Sequence, residues 1–186
     1  MARLRVDPSV LQDPEVLVHR LEDDGTYPNN DRLPTLLYRR ALALNERPGA
    51  ATMESLVRSH GWSGTWRNGI YGFHHYHSTA HEVLGVARGS ADVQLGGPDG
   101  PRMEVTTGDV LILPAGVAHK NHGSSPSFLV VGAYPDGQDW DLLTGDPEER
   151  PQADRTIAAV PEPEEDPIYG PDGPLVTHWK SDGASP

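Results

Sequence analysis

The run NGIYGFHHYHSTAHEVLGVARG, residues 68–89, decides how this chain is read. Four of the protein's 9 histidines, His74, His75, His77 and His81, crowd into it, and Glu82 follows directly. His77 and His81 are four apart, as a zinc pair on a helix would be. Gly69 and Gly72 before them, Gly85 and Gly89 after them, and the aromatics between argue for extended chain instead. On a strand, side chains two apart share a face. His75 and His77 then aim their imidazoles at one point, while His74 and Tyr76 point the other way. Ser78-Thr79-Ala80 offers a bend, after which Glu82 can turn back inward. A later tight turn, Pro114-Ala115-Gly116, precedes His119, which can supply a fourth ligand. Three imidazoles and a carboxylate form a borderline donor set for a divalent transition metal.

Outward from this run the period of two continues. HEVLGVARG, ADVQLGG, MEVTTGDVLILP and SFLVVGAYP are short apolar-alternating stretches split by Gly, Pro and Asp. That spacing marks an all-β barrel or sandwich over residues 61–135. Residues 1–60 read as an N-terminal extension. Within it, residues 16–21 are expected as an edge strand, 23–30 as turn, 35–45 as strand or helix, and 52–60 as a short helix with Thr52 as N-cap and Ser55 facing water. Residues 136–186 lose the periodicity and turn Pro-rich and acidic. Isolated anchors such as Ile168, Leu175 and Trp179 persist there, so an extended strap lying on the barrel is expected.

The sequence closely resembles the cupin superfamily. Its first motif, G-(x)5-H-x-H-(x)3,4-E-(x)6-G, is met by Gly69, His75, His77, Glu82 and Gly89. The second, G-(x)5-P-x-G-(x)2-H-(x)3-N, is met by Gly108, Pro114, Gly116 and His119. Its last position departs: residue 123 is Gly, and the nearest asparagine is Asn121. The resemblance covers about residues 60–135. It implies a double-stranded β-helix barrel with a metal in its mouth, held by His75, His77, Glu82 and His119. The flanks look like those of a small uncharacterised bacterial branch of the superfamily.

Around that set, Tyr71, Phe73 and Asn121 are pocket candidates, although plain barrel core is the first expectation for the two aromatics. His74 and His81 are expected in structural roles or supporting the ligands, and His122 in a loop. Trp62 and Trp66 either cap the barrel or fill it. The cofactor expected is a divalent transition metal, Fe, Mn, Zn or Ni. Cupins with this ligand set include dioxygenases, decarboxylases and isomerases. The expectation leans to oxygenase-type chemistry over Fe(II), with isomerisation of a sugar-like substrate or non-enzymatic ligand sensing as competitors.

Composition narrows the partners. With 186 residues the chain suits one domain. It carries 27 acidic against 15 basic residues. Most of that excess sits beyond residue 135, and no basic stripe offers itself to phosphates, so nucleic acid is an unexpected partner. No run of 18 apolar residues is present, nor an N-terminal signal pattern, so no membrane is expected and the default location is cytoplasmic. The absence of cysteine rules out thiolate ligands. A small molecule is the expected ligand, and a homodimer the expected assembly, because a lone small barrel leaves strand edges exposed.

Overall fold

A computed structural model describes residues 6–45 and 47–180; the chain ends, which fall in the expected extension and strap, lie outside the described residues. The described residues form nine strands and three α-helices. In chain order these are β1 (Glu15–Leu21), β2 (Asn30–Arg39), α1 (Gly49–Ser59), β3 (Trp62–Asn68), β4 (Glu82–Arg88), β5 (Ser90–Leu95), β6 (Arg102–Thr106), β7 (Val110–Leu113), β8 (His119–Ser124), β9 (Leu129–Pro135), α2 (Gln152–Ala159) and α3 (Pro174–Lys180). One sheet runs β1-β2-β7-β4-β9-β3 and the other β6-β5-β8. Each strand pairing is antiparallel. The all-β double-stranded β-helix expected from the sequence is the fold observed.

Side-chain parity sorts the core into two layers. In β4, Leu84 and Val86 face the three-stranded sheet, packing with Val93 and Leu95 of β5, while Val83 and Ala87 face outward. Leu111 and Leu113 of β7 point inward in the same way, and Val110 and Ile112 outward. These strands are buried on both faces, which is why VLIL reads as an unbroken apolar run instead of an alternation. The outer face is covered by Met53, Leu56 and Val57 of α1 and by Leu175 and Trp179 of α3.

The segment 1–60 supplies more than an extension. β2 lies between β1 and β7, well inside the six-stranded sheet, and β1 is its edge. Residues 35–39 resolve as strand, because Leu36, Leu37 and Tyr38 must alternate between the two core layers. The helix expected at 52–60 begins three residues earlier. Thr52 is therefore inside its first turns and not its N-cap, which is Pro48, and Ser55 is half-buried. The expected extended strap contains two short helices, α2 and α3. Asp166 pins it: its carboxylate accepts the Tyr38 hydroxyl proton and the N–H groups of Ile168, Tyr169 and Leu175. The Trp179 indole donates to the Pro34 carbonyl at 2.9 Å.

Candidate metal centre

His75 and His77 lie between β3 and β4, on a connection that is extended without being a regular strand. It pairs through single bridges, His75 with His119 on one side and Tyr76 with Leu143 on the other. The expected strand is corrected to this bridged segment, in which the backbone bonds of Tyr71, His75 and His77 to Asn121, His119 and Gly116 do not build a continuous ladder. The alternation survives. His75 and His77 turn into the barrel mouth, whereas Tyr76 packs beside Tyr27 and Ala118 on the opposite side. Glu82 opens β4 with the inward parity of Leu84 and Val86, and His119 opens β8.

The imidazole nitrogens of His75, His77 and His119 come within 4.8 Å of one another, and all three residues are buried. Their Nδ1 atoms sit against main-chain carbonyls: Phe73 at 2.9 Å for His75, Val117 at 3.0 Å for His119, and Asp141 for His77. Donation from Nδ1 to a carbonyl fixes the tautomer and leaves each Nε2 lone pair directed at the centre. Glu82 Oε2 is 3.4 Å from the Nε2 of both His77 and His119. That oxygen is buried and makes no well-formed hydrogen bond. A buried carboxylate oxygen facing imidazole lone pairs is repulsive unless a positive species lies among them. The titration tendencies reflect this. Burial would lower His77, but the Glu82 carboxylate outweighs it and holds the imidazole up. Glu82 itself is held well below the usual carboxylate range, its burial more than offset by His77 and His119. Burial, with His119 beside it, pushes His75 down to about 3. A borderline divalent cation suits three neutral imidazoles and one carboxylate.

The other oxygen of Glu82 is occupied. Tyr134 donates its hydroxyl proton to Oε1 at 3.1 Å, and Trp66 Nε1 donates to the Tyr134 hydroxyl oxygen at 2.8 Å. Burial and the neighbouring carboxylate push the Tyr134 phenol far up, so it stays a donor. Trp66 can lie across β9 because residue 132 is Gly; a Cβ there would overlap the indole. A cavity of about 410 Å³ opens beside the centre, walled by Trp66, Tyr71, Leu84, Tyr134 and Trp140.

The remaining expected residues are placed as follows. Tyr71 and Phe73, expected first as barrel core, are exposed and stack on each other at 4.9 Å; Tyr71 lines the cavity rim, and Phe73 lies outside the wall. Asn121 does not reach the cavity. Its side chain accepts from the Gly123 N–H at 2.9 Å, tying off the position where the motif departs. His74 faces away, 5.6 Å from the Tyr27 ring, and burial lowers its basicity. The His81 ring lies against Trp179; its Nδ1 accepts from the Ala115 N–H at 2.9 Å, so it braces the turn that leads to His119. Trp62 fills the outer core, and Trp66 walls the cavity. Sequence reading missed Tyr134, Trp140 and Asp141. The inward parity of Tyr134 on SFLVVGAYP was a usable signal; Trp140 and Asp141, in an aperiodic stretch, gave none.

The cupin family model matches residues 66–138. The uncharacterized protein YjlB of Bacillus subtilis (strain 168) is 41% identical over 165 residues, covering 89% of this chain and 97% of that protein. This chain belongs to the cupin family. Among solved structures, it is similar to the DMSP lyase DddQ of Ruegeria pomeroyi, with 16% identity, a TM-score of 0.36, and coverage of 73% of this chain and 53% of that one. It is also similar to procruciferin, the 11S globulin of Brassica napus, with 18% identity, a TM-score of 0.35, and coverage of 74% and 30%. This cupin thus spans about half of the first and a third of the second. No helix among its described residues is long and apolar enough to cross a membrane.

Proposed function

We propose that this cupin is a metal-dependent enzyme acting on a small organic molecule, with His75, His77, Glu82 and His119 holding the metal. The observation that carries the reading is Glu82 Oε2, a buried oxygen without a hydrogen-bond partner, set against two imidazole nitrogens whose protons are directed elsewhere. A divalent transition metal bound there supplies Lewis acidity and, as Fe(II), the capacity to activate dioxygen. The protein's own residues do the rest. Main-chain carbonyls orient the imidazoles, Tyr134 holds Glu82 in place, and Trp66 and Trp140 wall the cavity beside them.

Within this reading we favour oxygenase-type turnover over iron. The test is metal analysis of the purified protein, then oxygen uptake by the iron-reconstituted form across small organic acids, thiols and sugars. Substrate-dependent uptake supports the proposal. Isomerisation of a sugar over Zn or Mn would replace the oxygenase reading, and tight binding without turnover would make the protein a sensor. A chain that binds no divalent metal overturns the proposal altogether. The same reading assigns a second copy as partner, since β1 ends the six-stranded sheet and exposes Val18. A monomeric mass in solution contradicts that. The cytoplasm is the proposed setting, open to test by cell fractionation.

A further inference from the structure

We infer that the molecule this site takes has a flat apolar body and one oxygen-donor end, an aromatic acid being its simplest form. The donor end rests on the metal reading above; the apolar body rests on the cavity walls alone.

At one end of the cavity His75, His77, His119 and Glu82 converge and offer polar atoms to a ligand. Along the aromatic wall the hydrogen-bonding groups of Trp66 and Tyr134 are engaged within the protein. The Trp66 indole N–H and the Tyr134 hydroxyl proton are committed to the chain that ends on Glu82. The Arg67 guanidinium donates twice to Glu54, at 2.7 and 2.9 Å, and the Asn68 side-chain oxygen accepts from the Gly69 N–H at 2.8 Å. Trp66 and Tyr134 therefore present ring faces, not hydrogen-bonding groups. Trp140 continues that surface, stacked on Tyr134 with planes 20° apart.

The mouth repeats the pattern. The exposed large apolar side chains among the described residues are Val18, Tyr71, Phe73, Trp140 and Leu142. All but Val18 belong to the cavity rim or to its immediate neighbours: Tyr71 and Trp140 line it, Phe73 stacks on Tyr71, and Leu142 lies two residues from Trp140. Apolar side chains left in water around one opening mark a binding surface. A sugar-like molecule would surrender the hydration of several hydroxyls against the ring faces of Trp66 and Tyr134, whose own polar groups are already engaged. A planar ring would lose little and gain ring-face contact. At the polar end, a divalent cation with one carboxylate and three neutral imidazoles retains net positive charge, which favours an anionic donor.

Calorimetric titration with phenylacetate, acetate, gluconate and phenol tests this, with metal content measured on the same samples. Phenylacetate is expected to bind at least tenfold tighter than acetate, and gluconate no tighter than acetate. Trp140→Ala should abolish the phenylacetate advantage, and Trp140→Phe should keep most of it. Gluconate binding tightest, or an undiminished phenylacetate advantage in Trp140→Ala, overturns the inference. Phenol carries no carboxylate and separates the two claims. If the protein holds no metal but still binds phenol in a Trp140-dependent way, the apolar body stands while the metal reading fails. If metal is held and phenol does not bind, the reverse is true.

Discussion

Glu82 is the residue at which the site's chemistry is most constrained, because its two oxygens are asked to do different things. Oε1 is fixed by the Tyr134 hydroxyl, which leaves Oε2 aimed at the imidazoles. Tyr134→Phe removes that fixing bond without changing the ring. Losses of about 10–100-fold in metal affinity are typical when an outer partner of a ligand is removed, so a loss in that range is expected. Competition with a chromophoric chelator measures it, and an unchanged affinity would show that Glu82 is held by other means. His74→Ala should leave affinity as it was, since that ring faces Tyr27. The convergence of His75 and His77 was legible from strand parity, and that of Glu82 and His119 with them from the cupin motif spacing. The inward parity of Tyr134 was readable, but its contact with Glu82 spans 52 residues and is recorded by no local pattern.

Among the elements, β9 and the connection before β4 carry the site. β9 sets Tyr134 inward, and its Gly132 leaves room for Trp66 to cross from β3. Gly132→Ala should force the indole aside, costing about 1–3 kcal/mol as overpacking commonly does, and should weaken metal binding along with stability. Thermal melts with and without metal would record both effects; a variant as stable as the parent in both states would remove Trp66 from the account. Gly116 is needed for another reason. Its φ of 95° belongs to the left-handed region, and a Cβ there would overlap the Asn29 carbonyl. The motif's glycine is thus explained by the turn that delivers His119. Asp141 clamps the connection: its carboxylate accepts from the backbone and hydroxyl of Ser78, and its main-chain N–H donates to Thr79 Oγ1 at 3.0 Å. Asp141→Ala is expected to cost about 1–3 kcal/mol through the donors it strands. Strand runs such as VLIL were readable from apolarity, whereas the stretch ending at His77 read as strand because its alternation is real, although its pairing stops at isolated bridges. β3 and β8 passed unnoticed: WSGTWRN and HKNHGS are polar or glycine-broken, and tertiary pairing alone makes them strands.

Across the whole molecule, the segment after β9 docks on the rest of the chain at several places, Tyr76 to Glu149 and Arg150 to Asp23 among them. Asp141 and Leu143 dock beside His75 and His77, and Asp166 with Trp179 docks on the outer layer. We propose that this segment is part of the stable unit despite its acidity. Trp179 is fully buried, so Trp179→Ala should cost about 3–5 kcal/mol, the usual range for a core tryptophan. Denaturant unfolding reads that cost; a change below 1 kcal/mol, or ready proteolytic removal of the segment without loss of stability, would contradict it. The apolar anchors made this docking legible in outline, but not the two helices, since Pro-rich sequence carries little helical signal.

The central claim is that His75, His77, Glu82 and His119 hold one divalent metal, and elemental mass spectrometry of the purified protein tests it most directly. Parent protein and His74→Ala should each carry about one divalent transition metal per chain, while His75→Ala, His77→Ala and His119→Ala emerge empty and Glu82→Gln binds weakly. Full occupancy in His75→Ala, or an empty site in His74→Ala, would contradict the assignment.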